Sequence, residues 1–379
     1  MRGQTAVDVA VIGGGITGAF AARFLSMAGV ATVLIDPDGI GAHASGRNPG
    51  GLNPLHGPGI PGPMSAFALE AFHLHLDLQD AIRVRPEPVV RVRIAMEPDD
   101  VAELEAAASL HQATPGFSAA WLQPAGLRAL DARISPDAIA GLRTEGNMRL
   151  ADPRAYARAV ADAAVRHGAR VIAARATGLA GSGRRVDRVV FADGTSLPCG
   201  GVVIANGPWA GEAAAWLDEP VPVMPVKGDL LYVEATPPVA FDFTWRDAAV
   251  YGASTLACLG GTTEHAGFDE TPAAAARASI LQRVGRFFPG LSGAPIVRQT
   301  AGLRPVTPDG LPIVGRSCSR DNVWLALGGG AKGMLYGPGI ARAVADLIVD
   351  GRTRLSISPC SPLRFSPESS RAAHAGEVR

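Results

Sequence analysis

The hydrophobic residues near the start of the chain form two short runs with an alanine-rich segment between them. Residues 7–12 and 30–35 are mostly apolar and rich in β-branched side chains, which is typical of strands buried on both faces of a parallel sheet. Helix-forming residue types dominate 16–28, and Gly29 is a suitable position for the helix to end. The pattern predicts a β-α-β unit at the start of the chain.

The later elements are predicted from periodicity and from the residue types that begin and end helices and strands. Helices are predicted over 70–81, from Asp152-Pro153 onward, and from Pro338 to about residue 350. Strands are predicted over 89–96, 170–173, 186–191, 201–205 and 322–327. Residues 220–234 and 250–263 have the pattern of antiparallel strands, and the polar tail, 366–379, is predicted to be disordered.

Composition narrows the class of protein. The chain has 379 residues, enough for two or three domains, and its 35 basic residues balance 35 acidic ones, so we expect no nucleic-acid partner. No apolar run approaches the roughly 18 residues that span a bilayer. The four cysteines form no CxxC pair, and His73 and His75 lie on different faces of their predicted helix. We therefore expect no metal site and a reducing, cytoplasmic location.

Basic residues cluster at the end of the predicted helix 70–81 and in the strand that follows. The cluster consists of Arg83, Arg85, Arg91 and Arg93. Such a group would suit an anionic partner, but an acidic run follows it at Glu97, Asp99 and Asp100. We interpret the arginines as the solvated face of a strand whose charge is balanced by this run.

A glycine-rich loop joins the first predicted strand to the first predicted helix. The string GGGITG places Gly13, Gly15 and Gly18 at the spacing GxGxxG. The three glycines allow, in turn, a tight turn, close approach of a pyrophosphate and close packing of helix on sheet. The main-chain N–H groups around Ile16 and Thr17 belong to a helix N-terminus, which attracts anions. The loop therefore predicts a dinucleotide site.

Asp36 ends the second predicted strand. An acidic side chain at this position binds the ribose hydroxyls of a dinucleotide and disfavours the 2′-phosphate of NADP. By itself the fingerprint leaves both NAD and FAD open.

Four further segments follow GGGITG along the chain: ASGRNPGGLNP at 44–54, VVIANGPWA at 202–210, AGLRPVTPDGLPIVG at 301–315 and GGGAKGMLYGPG at 328–339. Together the five segments resemble the D-amino-acid oxidase (DAO) family of FAD-dependent oxidoreductases, particularly its glycine oxidase and sarcosine oxidase members. The likeness extends over about residues 5–350. It implies an FAD cofactor and a flavoprotein fold of two domains.

The resemblance also implies which residues contact the cofactor. Segment 44–54 corresponds to the stretch that passes the FAD pyrophosphate and isoalloxazine ring, and segment 328–339 to the contact at the pyrimidine end of the flavin. The implied contacts outside the first loop are Ser45, Arg47, Asn48, Gly50, Gly51, Leu52, Thr177, Gly207, Trp209, Gly330, Lys332, Gly333 and Met334. The structural alternatives are a surface salt bridge for Arg47, a core position for Trp209 and a solvated loop position for Lys332. Leu303 stands where some relatives carry the cysteine that links FAD covalently, which implies non-covalent FAD.

On the substrate side the resemblance points to two residues. Arg304, in the string GLRP, corresponds to an arginine that pairs with the substrate carboxylate, and a guanidinium can hold a carboxylate through two parallel hydrogen bonds. Tyr251 resembles a tyrosine that helps to bind the same carboxylate. An arginine that ties strands together is the structural alternative for Arg304. With Lys332, these two residues form the predicted catalytic set.

We therefore expect an α/β protein with a discontinuous Rossmann-like FAD-binding domain (1–85, 146–215 and 300–360) and an antiparallel-sheet α+β substrate domain (86–145 and 216–299). The expected reaction is oxidation of the C–N bond of a small amino acid or N-substituted amino acid by hydride transfer to flavin N5, giving an imine that hydrolyses. Oxygen or another electron acceptor would complete the cycle. The alternatives are an NAD-dependent dehydrogenase and a flavin-binding electron-relay subunit of a larger complex, and a homo-oligomer is also open.

Overall fold

Seventeen strands and eight α-helices lie within the described residues of this computed structural model, which are 6–78, 82, 84–253 and 256–366. The strands are β1 (Val7–Ile12), β2 (Thr32–Ile35), β3 (Gly51–Leu52), β4 (Glu87–Ala95), β5 (Ser118–Leu122), β6 (Ala140–Arg149), β7 (Arg170–Ile172), β8 (Ala176–Ser182), β9 (Arg185–Phe191), β10 (Ser196–Ile204), β11 (Met224–Glu234), β12 (Asp242–Trp245), β13 (Ala248–Tyr251), β14 (Leu256–Gly260), β15 (Ile296–Val306), β16 (Ile313–Arg316) and β17 (Val323–Leu327). The helices are α1 (Ile16–Met27), α2 (Ser65–Asp77), α3 (Pro98–Ala113), α4 (Pro124–Leu130), α5 (Pro153–Arg166), α6 (Ala213–Leu217), α7 (Ala274–Phe287) and α8 (Gly333–Val349). The tail predicted to be disordered lies outside the described residues from residue 367 onward.

The first sheet is built around parallel strands in the order β16-β17-β10-β1-β2-β7. The pairs from β17 to β7 are parallel, β16 is antiparallel to β17, and β9 and β8 extend β10 as an antiparallel hairpin. Helices α1, α2, α5 and α8 pack on one face of this sheet, and α6 with the β8–β9 hairpin packs on the other. Burial on both faces explains why β1 from Val9 onward, β2 after Thr32 and the end of β10 are apolar. The predicted Rossmann-like unit is confirmed.

The structure confirms the sequence signals for two helices, α1 and α5. Gly18 allows α1 to lie against the strand before it, because a Cβ atom at this position would lie 1.8 Å from the Gly13 carbonyl oxygen. At the start of α5, the Asp152 carboxylate accepts a hydrogen bond from the main-chain N–H of Ala155 at 2.9 Å, and Pro153 occupies the first turn.

The prediction that Pro338 begins the last helix is wrong. Helix α8 begins at Gly333, and Pro338 lies inside it. A proline within a helix removes the N–H that would bond the carbonyl four residues earlier, here that of Met334. That carbonyl instead accepts a hydrogen bond from His75 Nε2 at 2.9 Å. The helix predicted over 70–81 begins earlier, as α2, and positions 79–81 lie outside the described residues.

The second sheet has the order β15-β11-β14-β13-β12-β4-β6-β3, with β5 beside β6. Its neighbouring strands are antiparallel except β12 and β4, which are parallel. One face packs on α7 through an apolar cluster that includes Val92, Ile94, Phe243 and Ile280. This arrangement is the predicted antiparallel-sheet α+β region.

The division into domains stays a prediction. Its boundaries at residues 146 and 300 fall inside β6 and β15, two strands of the second sheet. Within the described residues, no helix is both long enough and apolar enough to cross a membrane.

Candidate active site

A cavity of about 510 Å³ is lined by both sheets. The first sheet contributes the loops that follow β1, β2, β10 and β17, at the carboxyl ends of its parallel strands, where open α/β sheets bind ligands. The second sheet contributes residues of β4, β6, β13 and β15. The predicted site residues that line the cavity are Gly13, Gly15, Ile16, Thr17, Asp36, Ser45, Arg47, Asn48, Gly51, Gly207, Trp209, Tyr251, Arg304, Gly330, Lys332, Gly333 and Met334.

The N-terminus of α1 forms one end of the site. Gly13 has a φ of 113°, and a Cβ atom there would lie 2.3 Å from the Ala205 carbonyl oxygen, so only glycine fits the turn. The Ser45 hydroxyl accepts a hydrogen bond from the Ile16 N–H at 3.0 Å, which holds segment 44–54 against the helix. Because the first turn of α1 carries no acidic side chain, its partial positive charge is available to an anion.

Asp36 is held at the edge of the same loop. One carboxylate oxygen accepts a hydrogen bond from the Gly14 N–H at 2.7 Å, and the other accepts from the N–H groups of Asp38 and Gly39 at 2.9 Å each. These bonds fix the carboxylate at the wall of the cavity, where a ribose would meet it.

The N-terminus of α8 forms a second part of the site that carries partial positive charge. The Lys332 ammonium donates hydrogen bonds to the main-chain oxygen of Asn53, at 3.2 Å, and to its side-chain oxygen. Burial lowers the pKa of Lys332 well below its ordinary value, and the charge of Arg91 lowers it further. A Cβ atom on Gly57 would lie 2.5 Å from the lysine Cε. Lys332 is therefore enclosed by segment 44–57 rather than solvated on a loop.

Arg47 and Trp209 lie at the rim. Arg47 forms an ion pair with Glu270 at 3.1 Å, so the salt-bridge alternative for Arg47 is present alongside its position in the cavity wall. Glu270 also bonds His43 Nδ1 at 2.9 Å. The ring of His43 meets Trp209 edge-on at a centroid distance of 4.6 Å, which places the tryptophan in a polar rim rather than in the core.

Asn48 and Gly50 give the segment its shape. The Asn48 amide donates to the carbonyl oxygens of Ala44 and Ser45 and accepts from the Gly50 N–H. Gly50 has a φ of 77°, and a Cβ atom there would lie 2.1 Å from the Leu150 carbonyl oxygen. Gly50 is thus a packing position beside the site and does not line it.

Three other predicted contacts do not line the cavity. Gly18 supports the packing of α1, and Leu52 is fully buried in the core. The predicted contact of Thr177 is through its main chain and stays a prediction: its side chain is exposed, and the preceding residues, Arg175 and Ala176, line the cavity.

Arg304 projects from β15 across the neighbouring strand. Its Nη1 donates a hydrogen bond to the Thr262 carbonyl oxygen at 2.8 Å, and its guanidinium packs directly on Gly228, where a Cβ atom would lie 2.3 Å from Nη2. Among the described residues it has no acidic partner. Burial lowers the pKa of Arg304, and Tyr251 opposes this shift. The remaining N–H donors of this guanidinium belong to the cavity wall.

Tyr251 is the last residue of β13 and lines the cavity beside Arg304. Burial raises the pKa of its hydroxyl, and the positive charges of Arg91 and Arg304 act against that shift. The structure thus brings both predicted substrate residues into one cavity with the two helix N-termini.

The interpretation of Arg91 and Arg93 as a solvated strand face is wrong. Both side chains line the cavity. The acidic run that was expected to balance them binds other partners: Asp100 pairs with Arg246 at 2.9 Å, and Glu97 pairs with Arg246 and Arg286. Arg83 lies outside the described residues, and Arg85 is exposed.

Sequence reasoning also missed several polar residues of the wall, namely Asn53, His56, Thr144 and Asn147. Asn53 and His56 lie within or just beyond the segment 44–54, so the polar ends of that segment were the available signal. Burial lowers the pKa of His56 to about 3, and Lys332, Arg93 and Arg91 contribute to this shift. Thr144 and Asn147 lie on β6 and carry no local signal.

The residues that line the cavity fit FAD. A glycine turn that a Cβ would fill, a fixed acidic residue and one helix N-terminus suit an adenosine ribose and a pyrophosphate. A second helix N-terminus with a half-buried lysine suits the end of a flavin that becomes negative on reduction. Among the described residues there is no group of three or more His, Cys, Asp or Glu side chains able to hold a metal ion.

Comparisons with known proteins agree with this fit to FAD. A family model described as DAO, FAD dependent oxidoreductase, matches residues 8–347. Glycine oxidase from Pseudomonas putida is 27% identical, over 94% of this chain and 98% of its own. The crystal structure of glycine oxidase from Geobacillus kaustophilus has a TM-score of 0.86 at 22% identity, over 94% of this chain and 98% of that one. L-proline dehydrogenase from P. horikoshii has a TM-score of 0.87 at 19% identity, over 99% and 100% of the two chains.

The two solved structures share the fold, and the family match spans both the glycine loop and the segments beyond residue 300. An FAD-dependent family leaves the NAD-dependent alternative without support. This chain belongs to the DAO family of FAD-dependent oxidoreductases.

Proposed function

We propose that this enzyme oxidises the C–N bond of a small amino acid or N-substituted amino acid, giving an imine that hydrolyses. The observation that carries the proposal is the placement of Arg304. Its guanidinium lines the same cavity as the N-termini of α1 and α8, and no acidic side chain among the described residues neutralises it. A half-buried cation with free donors beside a flavin site suits the carboxylate of an amino acid.

Arg304 and Tyr251 would act on the carboxylate together. The guanidinium offers parallel N–H donors and the tyrosine offers a hydroxyl, so the carboxylate is held in one orientation. Fixing one end of a small substrate fixes the direction of its α C–H bond, which converts an encounter into an oriented approach. When bound, FAD supplies the acceptor for the hydride that leaves this carbon.

The N-terminus of α8, at one end of the cavity, would stabilise the negative charge that develops on the flavin as it accepts the hydride. Its N-terminal N–H groups carry partial positive charge, and Lys332 is fixed beside them by its bonds to Asn53. Donors that are already in place need no reorganisation when negative charge forms. We propose as cofactor contacts the predicted residues that line the cavity, apart from Arg304 and Tyr251.

We propose that FAD is held without a covalent bond to cysteine. Leu303, at the position where some relatives carry the linking cysteine, is fully buried. Cys199, Cys258 and Cys360 are also buried, Cys318 is partly buried, and none of the four lines the cavity. Acid precipitation of the yellow protein would then release all of the flavin into the supernatant, whereas flavin in the pellet would contradict this assignment.

The direct test is anaerobic bleaching of the FAD-loaded protein by D-, L- and N-alkyl amino acids. We expect at least one class to reduce the flavin with no partner protein present, and admission of air will show whether oxygen reoxidises it. Arg304→Leu should retain FAD and raise the substrate Kd at least tenfold, with Arg304→Lys between the two. Absence of bleaching across the panel would favour the electron-relay alternative, and an unchanged Kd in Arg304→Leu would remove the carboxylate assignment.

A further inference from the structure

On the basis of the function proposed above, we infer that the cavity contains a second anion-binding subsite, formed by Arg91 and Arg93, which selects amine substrates that carry a second carboxylate. The subsite is separate from Arg304. It lies on β4, on the opposite side of Tyr251 in the order of the sheet.

The alternation of β4 aims both arginines into the cavity. Val92 is fully buried and Ile94 is 2% exposed, and both belong to the apolar cluster under α7. Because neighbouring strand residues point to opposite faces, Arg91 and Arg93 point together to the other face. That face is the cavity wall.

Arg91 has no direct ion-pair partner among the described residues, although Asp242 lies beside it across the β4–β12 pair and interacts with its charge. In the described part of the chain, its guanidinium forms neither a hydrogen bond nor an ion pair. A Cβ atom on Gly51 would lie 3.9 Å from Arg91 Nη2, so the guanidinium stands over the main chain of the segment proposed to pass the flavin. An arginine enclosed by a cavity and left unpaired is costly unless a ligand supplies the anion.

The acidic side chains nearby do not fully neutralise the positive charge of Arg91 and Arg93. Asp242 is buried, and its carboxylate pairs with Arg149 at 2.8 Å. Burial raises the pKa of Asp242, and the charges of Arg91 and Arg149 both oppose that shift, so one carboxylate serves two arginines. Glu103 lies 3.4 Å from Arg93, but it is 69% exposed, so water screens this pair strongly. Asp247, which lines the cavity, pairs with Arg283. One buried carboxylate is thus shared by Arg91 and Arg149, and one exposed carboxylate serves Arg93, so positive charge at this wall remains for a ligand.

The lowered pKa values of two neighbouring side chains, His56 and Lys332, agree with a positively charged cavity wall. The charges of Arg91 and Arg93 contribute to the low pKa of His56, about 3, and Arg91 also lowers the pKa of Lys332. An anion bound between these side chains would relieve the repulsion among them.

Tyr251 connects the two anion sites. Strand β12 lies between β4 and β13, so the main chains at Arg91 and Tyr251 are about two strand spacings apart, roughly 10 Å. The hydroxyl of Tyr251 responds to the charges of both Arg91 and Arg304. A small molecule whose first carboxylate meets Arg304 and Tyr251 can therefore present a second carboxylate to Arg91 and Arg93.

The first test measures binding without turnover. The FAD-loaded protein is titrated anaerobically with succinate and glutarate, and with propionate and butyrate, while the flavin absorbance reports binding. We expect the dicarboxylates to bind at least tenfold more tightly. Arg91→Gln should reduce the dicarboxylates to the affinity of the monocarboxylates, and Arg91→Lys should preserve part of the preference. Arg143→Gln is the control, because Arg143 pairs with Glu145 away from the cavity.

The second test uses substrates of matched shape. Aspartate is compared with asparagine, and glutamate with glutamine, in both enantiomers, by the rate of anaerobic bleaching. We expect the acid to exceed its amide at least tenfold in kcat/KM, and Arg91→Gln to abolish that ratio.

The outcomes separate the two proposals. Equal binding of mono- and dicarboxylates, equal weakening of both by Arg91→Gln, or loss of FAD from a folded Arg91→Gln protein would each overturn the second subsite. Bleaching by neutral amino acids without any preference for the acids would leave the proposed function standing and remove the subsite. Tight, Arg91-dependent binding of inert dicarboxylates with no bleaching by any amine would support the subsite and remove the proposed function.

Discussion

The imidazole of His75 donates a hydrogen bond from Nε2 to the main-chain carbonyl of Met334, at 2.9 Å, in the first turns of α8. The carbonyl is available because Pro338, four residues later, has no N–H. Since a carbonyl only accepts, Nε2 carries the proton, and Nδ1 accepts from the Tyr156 hydroxyl at 2.8 Å. Met334 lines the cavity, so this buried pair fixes the helix end that faces the proposed flavin site.

The first prediction concerns acid stability. Burial lowers the pKa of His75 to about 4 from an ordinary value of 6.5. Between these two pH values the unfolded chain binds more protons, so the stability due to neutral His75 is present above pH 6.5 and lost as the pH falls towards 4. We expect His75→Gln to flatten this part of the pH dependence of the unfolding free energy by roughly 3 kcal/mol at most. Urea unfolding across pH 4–7 measures it. The exposed His73→Gln variant is the control, and equal slopes in the two variants would refute the prediction.

The second prediction concerns the hydroxyl of Tyr156. Tyr156→Phe leaves His75 Nδ1 buried without a donor, which should reduce the unfolding free energy by about 1–3 kcal/mol. Tyr336→Phe is a matched control, because the buried Tyr336 hydroxyl has no partner among the described residues. Denaturant unfolding at pH 7 compares the two variants. A loss as large in Tyr336→Phe would show that the effect is general to buried tyrosines.

The third prediction concerns the glycine loop. A Cβ atom on Gly15 would meet only the Ser45 hydroxyl, at 3.2 Å, so Gly15→Ala should fold. The methyl group would enter the space proposed for the pyrophosphate, and we expect FAD affinity to fall at least tenfold. Fluorescence quenching on adding FAD to the deflavinated protein measures this. Gly293→Ala, whose Cβ would meet nothing within 4 Å, should bind FAD normally.

The fourth prediction concerns the packing of the Arg304 guanidinium on Gly228. In Gly228→Ala the new methyl group would lie within 2.5 Å of the guanidinium carbon, so Arg304 must move. We expect the Kd for carboxylate substrates to rise at least tenfold while FAD remains bound, because a small displacement breaks a two-bond contact. Gly178→Ala, on β8, has its nearest contact at 4.0 Å and serves as a strand-glycine control. Unchanged substrate binding in Gly228→Ala would argue against the role of Arg304.

The fifth prediction concerns Lys332. If its charge lies at the reduced end of the flavin, Lys332→Met should lower the reduction potential of bound FAD by tens of millivolts, and Lys332→Arg should restore most of the loss. Potentiometric titration with a redox dye gives the value directly. An unchanged potential would limit Lys332 to its bonds with Asn53.

Short-range features of the chain were predictable because they depend on near neighbours. The glycine spacing and the apolar runs around it identified β1, α1 and β2, and Asp152 identified the start of α5. Prediction was wrong where a distant partner decided the outcome. Pro338 sits inside α8 because His75 takes over the carbonyl that the proline frees, and His75 belongs to another helix.

The same distinction applies to β4. Its sequence determined that Val92 and Ile94 share one face and that Arg91 and Arg93 share the other, because a strand repeats every two residues. Only the tertiary structure decided what the arginine face meets. A period of two does not distinguish bulk water from a cavity wall, since that depends on which distant loops pack opposite the sheet. Here the loops of the first sheet do so, and a face with the pattern of a solvated strand lies inside the candidate active site.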